Sequence, residues 1–254
     1  MRSIIVTLLT AIALAAAAVV NPPAKTPDAS HAKAPNVFTS NSRQVSGSDV
    51  QLHADPEGVR LASVLLAAAE ADRDYFDKVI VHEEETDVWK VKIWRQLRGI
   101  GFITQPVGKL ADLQTKEVSK WSSVASWPLL VVKAVATQLP QVNQGGVGIW
   151  YALSCVVGQT NMYQGKDDVN KNIGDFDRGN KTVVIVETNM TTQKGTKKAP
   201  KLKPNYAYAM VERKGDKIIL SDPADDAKSQ EQHRNITEIF GDILAVYQAK
   251  LTLA

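Results

Sequence analysis

One cysteine, Cys155, stands in a chain of 254 residues. No internal disulfide can form, so a domain built from this chain depends on its apolar core or on pairing outside the chain. Strong charge of one sign is missing as well. Thirty Lys and Arg against 27 Asp and Glu leave a formal +3, too little to argue for nucleic acid, and no basic stretch interleaved with aromatics is present. Internal repeats and metal-ligand spacings are absent. Gly145-Gly146-Val147-Gly148 lacks the Lys-Ser/Thr that must follow in a phosphate-cradling loop. The long apolar stretch at residues 4–20 is short of the about 20 residues a membrane span needs.

That stretch reads as an address. Arg2 gives a positive start, residues 15–18 are small, and Asn21-Pro22-Pro23 stops any helix. A secretory signal at residues 1–18 is expected, a retained signal anchor being the alternative. Residues 19–48, rich in Pro, Ala, Ser, Asn and Lys, are expected to be a disordered leader. Residues 49–254 make one domain, 44% of the whole chain being hydrophobic and 22% charged, the balance of a globular protein with a sizeable core. The location expected is extracellular, with no membrane span after signal removal and no nucleic-acid partner. Asn180, Asn189 and Asn235 open Asn-x-Thr sequons and are candidate glycosylation sites of a secreted glycoprotein.

Within the domain, residues 58–80 repeat apolar side chains at three and four: Leu61, Val64, Leu65, Ala68, then Phe76, Val79 and Ile80. This predicts one helix with a buried face. Arg60 lies in its first turn, where the helix dipole favours an anion instead, and the ordinary reading is that it reaches solvent. A hydrophilic turn at residues 82–85 ends the pattern. Residues 88–94 and 102–104 read as strands of a hairpin. Residues 126–139 are helical, with Pro128 in the first turn where a missing donor costs nothing, and residues 147–157 form a second apolar helix. Residues 165–180 read as a polar surface loop, 182–187 as a buried strand, and 194–203 as a solvated lysine-rich loop. Residues 206–212 and 217–220 flank Lys214-Gly215-Asp216 as a hairpin. A short helix at 237–240 and a strand at 244–248 close the chain. The class expected is α+β, a helical lobe followed by an antiparallel β-rich lobe.

In order along the chain these blocks resemble the calpain protease core, of the papain-like superfamily. Gly58-Val59-Arg60-Leu61 opens the small apolar helix as Gly-Asp-Cys-Trp does there, and Lys78-Val79-Ile80 ends it. Residues 127–136 are similar to the family's tryptophan helix at Trp127, Leu130, Lys133, Ala134 and Ala136. Gly145-Gly146 and Gly158 stand where its glycines do. Asn205-Tyr206-Ala207-Tyr208 resembles its Gly-His-Ala-Tyr strand, and Asp222-Pro223 its Asn-Pro pair.

The resemblance implies a papain-like fold with a Cys-His-Asn site, and places the triad-equivalent positions at Arg60, Tyr206 and Asp222. A guanidinium stays protonated and is no nucleophile. A phenol that titrates near 10 is a poor base at neutral pH. The oxyanion-hole glutamine has no counterpart in register, Gln51 being the nearest. Cys155 falls in the second apolar helix and reads as buried. None of His31, His53, His82 and His233 has the context of the family's histidine. No catalytic residue is expected.

The leading expectation is therefore a secreted, catalytically inactive calpain-like protein, a pseudoprotease that acts by binding a protein partner. Arg60 and Asp222 are expected to pair, with Tyr206 hydrogen-bonding beside them. The alternative is an active secreted calpain-like cysteine endopeptidase with a rearranged site dependent on Cys155. A structural glycoprotein without a cleft function is a further reading. No cofactor is expected, and no metal ligand is assigned; calcium is implied by the resemblance alone.

Overall fold

The computed structural model describes residues 37–38, 44–50, 58–94, 101–113, 125–139, 148–174, 176, 180–190, 201–224 and 231–252. The expected signal, most of the leader, His31, Gln51 and His53 lie outside them. The architecture is a mixed arrangement of helices with two antiparallel sheets, one of three strands and one of six.

Helix α1 (Val59–Ala71) lies at the centre, against strands of the larger sheet and against a later helix. It is buried nearly all round. Leu61, Val64, Leu65 and Ala68 carry the expected stripe, while Ala62, Ala67 and Ala69 let neighbours approach on the other sides. Ser63, fully buried, donates its hydroxyl to Ala207 O at 2.9 Å, which removes the penalty of a buried polar group.

The expected single helix over 58–80 is corrected to two. α1 stops at Asp72, which is extended (φ −153°, ψ 105°) and whose carboxylate accepts from the amide of Asp74 at 3.1 Å. Such a side chain competes with the helical ladder for backbone donors. Helix α2 (Tyr75–Val79) restarts the same apolar period, so the break is hidden from the pattern. Strand β1 (Ile80–Glu83) follows directly and takes in His82 and Glu83, which hydrophilicity alone assigned to a turn.

β1 pairs with β2 (Val88–Trp94), which pairs with β3 (Phe102–Gly108), all antiparallel. A short helix, α3 (Leu110–Leu113), follows. Helix α4 (Trp127–Gln138), with Pro128 in its first turn as expected, packs on β2 and β3. Its Trp127 is fully buried, stacks on Phe76 at 4.3 Å and donates its indole N–H to Asp49 Oδ2 at 3.0 Å. Asp49 also accepts from the amide of Ser46 and closes a 3-10 turn, Gly47–Asp49, whose Gly47 amide reaches Glu70. Val37, Phe38, Val45 and Val50 are buried. The packed structure thus reaches upstream of Asp49 into the segment assigned to a disordered leader. Ser46, of a type counted towards disorder, is the residue that caps this turn.

Helix α5 (Ile149–Val156) packs on α1, and β4 (Thr160–Tyr163) follows it. Residues 166–174, expected as loop, form helix α6 (Lys166–Gly174). It is polar except for the buried pair Val169 and Ile173, four residues apart, too narrow a stripe to reveal the helix. The larger sheet has the order β4-β9-β5-β6-β7-β8. It comprises β5 (Thr182–Thr188), β6 (Ala207–Lys214), β7 (Lys217–Ser221), β8 (Glu231–Asn235) and, after helix α7 (Ile236–Ile239), β9 (Ile243–Lys250). β4 and β8 form its edges. β8 reads Glu-Gln-His-Arg-Asn, the polar sequence of an edge that resists further pairing, and carries no apolar alternation by which to find it.

Candidate functional site

Arg60 projects from the first turn of α1 towards the larger sheet. Its Nε meets Glu187 Oε1 at 3.4 Å and its Nη2 donates to Asn205 Oδ1 at 2.9 Å. The side chains of Arg60 and Glu187 are 19% and 13% exposed, so the pair is shielded from most screening. Glu187 also accepts the Tyr247 hydroxyl at 2.7 Å. Burial first, and then this carboxylate, push the Tyr247 phenol above its ordinary value.

Asn205 takes a left-handed conformation, φ 52°, which asparagine tolerates better than most residues, and its amide donates to Asn189 O at 2.7 Å. The chain then turns into β6. Thr188 clamps the turn: its hydroxyl donates to Lys203 O at 2.7 Å and accepts from the Tyr206 amide at 2.9 Å.

Asp222, just past β7, is fully buried. Its Oδ1 accepts from the Tyr206 hydroxyl at 2.6 Å and from the Ala224 amide at 2.9 Å, and its Oδ2 from Lys203 Nζ at 2.6 Å. Lys203 Nζ stands 5.0 Å from the centre of the Tyr206 ring, close enough for a cation–π contact. The Lys203 amide donates to the Tyr208 hydroxyl at 2.9 Å. A buried carboxylate holding an ammonium, a phenol and an amide meets the condition for a tolerable buried charge.

The three sequence-derived positions thus fall in two clusters. Tyr206 and Asp222 touch directly, whereas Arg60 bonds Glu187 and Asn205, and the Tyr206 ring lies with Tyr208 on the sheet face opposite Glu187. The expected Arg60–Asp222 pair is replaced by two others: Arg60 with Glu187, and Asp222 with Lys203. Sequence reasoning missed Glu187, Lys203, Asn205 and Tyr247. Only Glu187 left a signal, as the one charge in the apolar strand Thr-Val-Val-Ile-Val-Glu-Thr.

Chemically both clusters are engaged within the fold. They hold no thiol and no imidazole, the guanidinium faces a carboxylate, and the Tyr206 and Tyr247 hydroxyls donate hydrogen bonds to carboxylates. Cys155 is a fully buried thiol in α5, outside any disulfide. His82 lies on β1 in the smaller sheet, stacked on Trp89, and His233 on the edge strand β8. Among the described residues no group of three or more His, Cys, Asp or Glu is placed to hold a metal.

The sequon asparagines differ in setting. Asn180 is exposed at the entry to β5. The amide nitrogen of Asn189, where a glycan would attach, donates to Gly241 O at 3.0 Å, and that of Asn235 to Glu238 Oε1 at 3.1 Å. Among the described residues no helix is long and apolar enough to cross a membrane. No family model matches the chain, and no curated protein matches it significantly.

Proposed function

We propose that this is a secreted pseudoprotease: a calpain-like, papain-like fold whose catalytic positions have become structural and which acts by binding a protein partner. The observation that carries the reading is that Arg60, Tyr206 and Asp222, at the start of α1 and the ends of β6 and β7, are each engaged in hydrogen bonds to neighbouring side chains. In a thiol protease those three places would hold a nucleophile at a helix N-terminus, a histidine and its orienting group. Here each side chain satisfies a neighbour and none can attack or abstract a proton from a peptide. The order of the elements, helices and a small sheet before a larger antiparallel sheet, supports the same fold. The burial of Cys155 argues against a relocated nucleophile, because a reactive thiol needs access and a stabilised thiolate. The cleft at which the family takes its substrate is the surface where the partner would dock.

The test is hydrolysis of unfolded casein by the purified mature chain, with and without calcium, beside Cys155→Ser. No turnover is expected from either protein while both remain folded. Turnover in the unmodified chain that disappears with Cys155→Ser would replace the pseudoprotease by an active endopeptidase.

A further inference from the structure

On the other face of the larger sheet lies a recess of about 390 Å³ lined by Gln159, Asn161, Thr182, Gln248, Lys250 and Thr252, with Ala249. Register fixes its side. Asn161 stands opposite Gln248, and Thr182 opposite Lys250. Gln248 and Lys250 alternate with Tyr247, whose hydroxyl reaches Glu187 on the α1 side, so they point away from α1.

Backbone groups of β9 are engaged in ladders to β4 and β5, which leaves side chains to make the chemistry of the recess. Three primary amides, two hydroxyls and an ammonium converge there, and no carboxylate is among them. None of these six side chains makes a hydrogen bond or ion pair within the described residues, whereas the carboxylates, phenols and guanidinium of the Arg60 and Asp222 clusters are all engaged. The volume is that of a small-ligand site, but the lining lacks the apolar walls that would receive amino-acid side chains.

We propose that this recess binds a sugar carboxylate, a hexuronate. The amides of Gln159, Asn161 and Gln248 each offer both a donor and an acceptor, which suits vicinal hydroxyls, and Lys250 supplies the cation for the carboxylate through a charge-assisted hydrogen bond. None of Arg60, Tyr206 and Asp222 lines the recess, and the proposal stands whether or not the chain is a pseudoprotease.

The experiment is nuclear magnetic resonance of the full-length mature chain, following the side-chain amide signals of Gln159, Asn161 and Gln248. The probes are glucuronate, a hexuronate trisaccharide, glucose and inorganic phosphate. Saturable shifts with glucuronate are expected, with a dissociation constant of about 1 mM for a ligand of this size. Tighter binding of the trisaccharide would assign the site to acidic polymers, and equal or weaker binding to free sugar acids. Lys250→Gln should weaken glucuronate about tenfold, and Gln248→Leu about fivefold, both with unchanged melting temperature. Three results would overturn the proposal: no saturable shift with either uronate, shifts from phosphate matching those from glucuronate, or full affinity in folded Lys250→Gln.

Discussion

The two faces of the larger sheet near β9 carry polar groups put to opposite uses. On the α1 side, Arg60, Glu187, Asn205 and Tyr247 are bound to one another, and at the ends of β6 and β7 a second bonded cluster holds Tyr206, Lys203 and the fully buried Asp222. On the other side, Asn161, Gln248 and Lys250 make no such bonds within the described residues. Adjacent residues of one strand, Tyr247 and Gln248, belong to the two regimes. Polar side chains that satisfy each other in a buried setting stabilise the fold and resist change. Those left open to solvent contribute little stability and remain available to a ligand.

This contrast is open to attack by mutation. Asp222→Ala should have the largest effect, a loss of about 3 kcal/mol, because it leaves the Tyr206 hydroxyl and the Ala224 amide without their acceptor. Lys203, about half exposed, can turn to water and adds little to that loss. An unchanged melting temperature would refute a structural role for Asp222. Glu187→Gln should follow at about 1.5 kcal/mol, since Arg60 loses a shielded counter-charge but keeps Asn205; denaturant unfolding reads the difference. At the other extreme, Lys250→Gln and Gln248→Leu should change stability by less than about 0.5 kcal/mol. A larger loss there would mean that the recess is part of the scaffold.

Titration sharpens the same comparison. Tyr247 has a folded-state pKa raised above its ordinary value, by burial and then by Glu187. A raised value favours protons in the folded state, so the stability it contributes is full below pH of about 10 and is lost as pH rises further. Unfolding free energy measured upward from pH of about 9 should therefore fall, and fall less steeply in Tyr247→Phe. Some slope should persist, because burial also raises Tyr75, whose hydroxyl donates to Val156 O at 2.6 Å. On the acid side Asp72 behaves oppositely. Burial works to raise it, but the hydrogen bond from Lys181, the Asp74 amide and the charges of Lys181 and Lys78 outweigh that and hold it low. Its contribution is present above the ordinary carboxylate range and is lost as pH falls below about 4, so Lys181→Met should flatten part of the acid limb.

Much of the fold was legible where burial is one-sided or complete. The run Thr-Val-Val-Ile-Val-Glu-Thr of β5, the turn Lys214-Gly215-Asp216 between β6 and β7, and Pro128 opening α4 each carry a local physical signature. What stayed hidden had none. The break at Asp72 falls between two segments of the same apolar phase, β8 is a polar edge, and α6 exposes nearly all its surface. The site divides in the same way. Arg60, Tyr206 and Asp222 could be named because each falls in a short motif, but their true partners come from remote stretches of chain. Glu187 lies 127 residues from Arg60, and Lys203 lies 19 from Asp222. Which cation meets which carboxylate depends on strand register and on the turn at Asn205, neither of which one-dimensional spacing contains.

A double-mutant cycle on Tyr206→Phe and Asp222→Asn tests most directly that these two side chains form one structural unit. Because the phenol donates to that carboxylate at 2.6 Å, the double variant should be less destabilised than the sum of the singles by about 1 kcal/mol or more. Losses that add to within about 0.5 kcal/mol would mean that the two side chains act independently, and would contradict the structural role assigned to this pair.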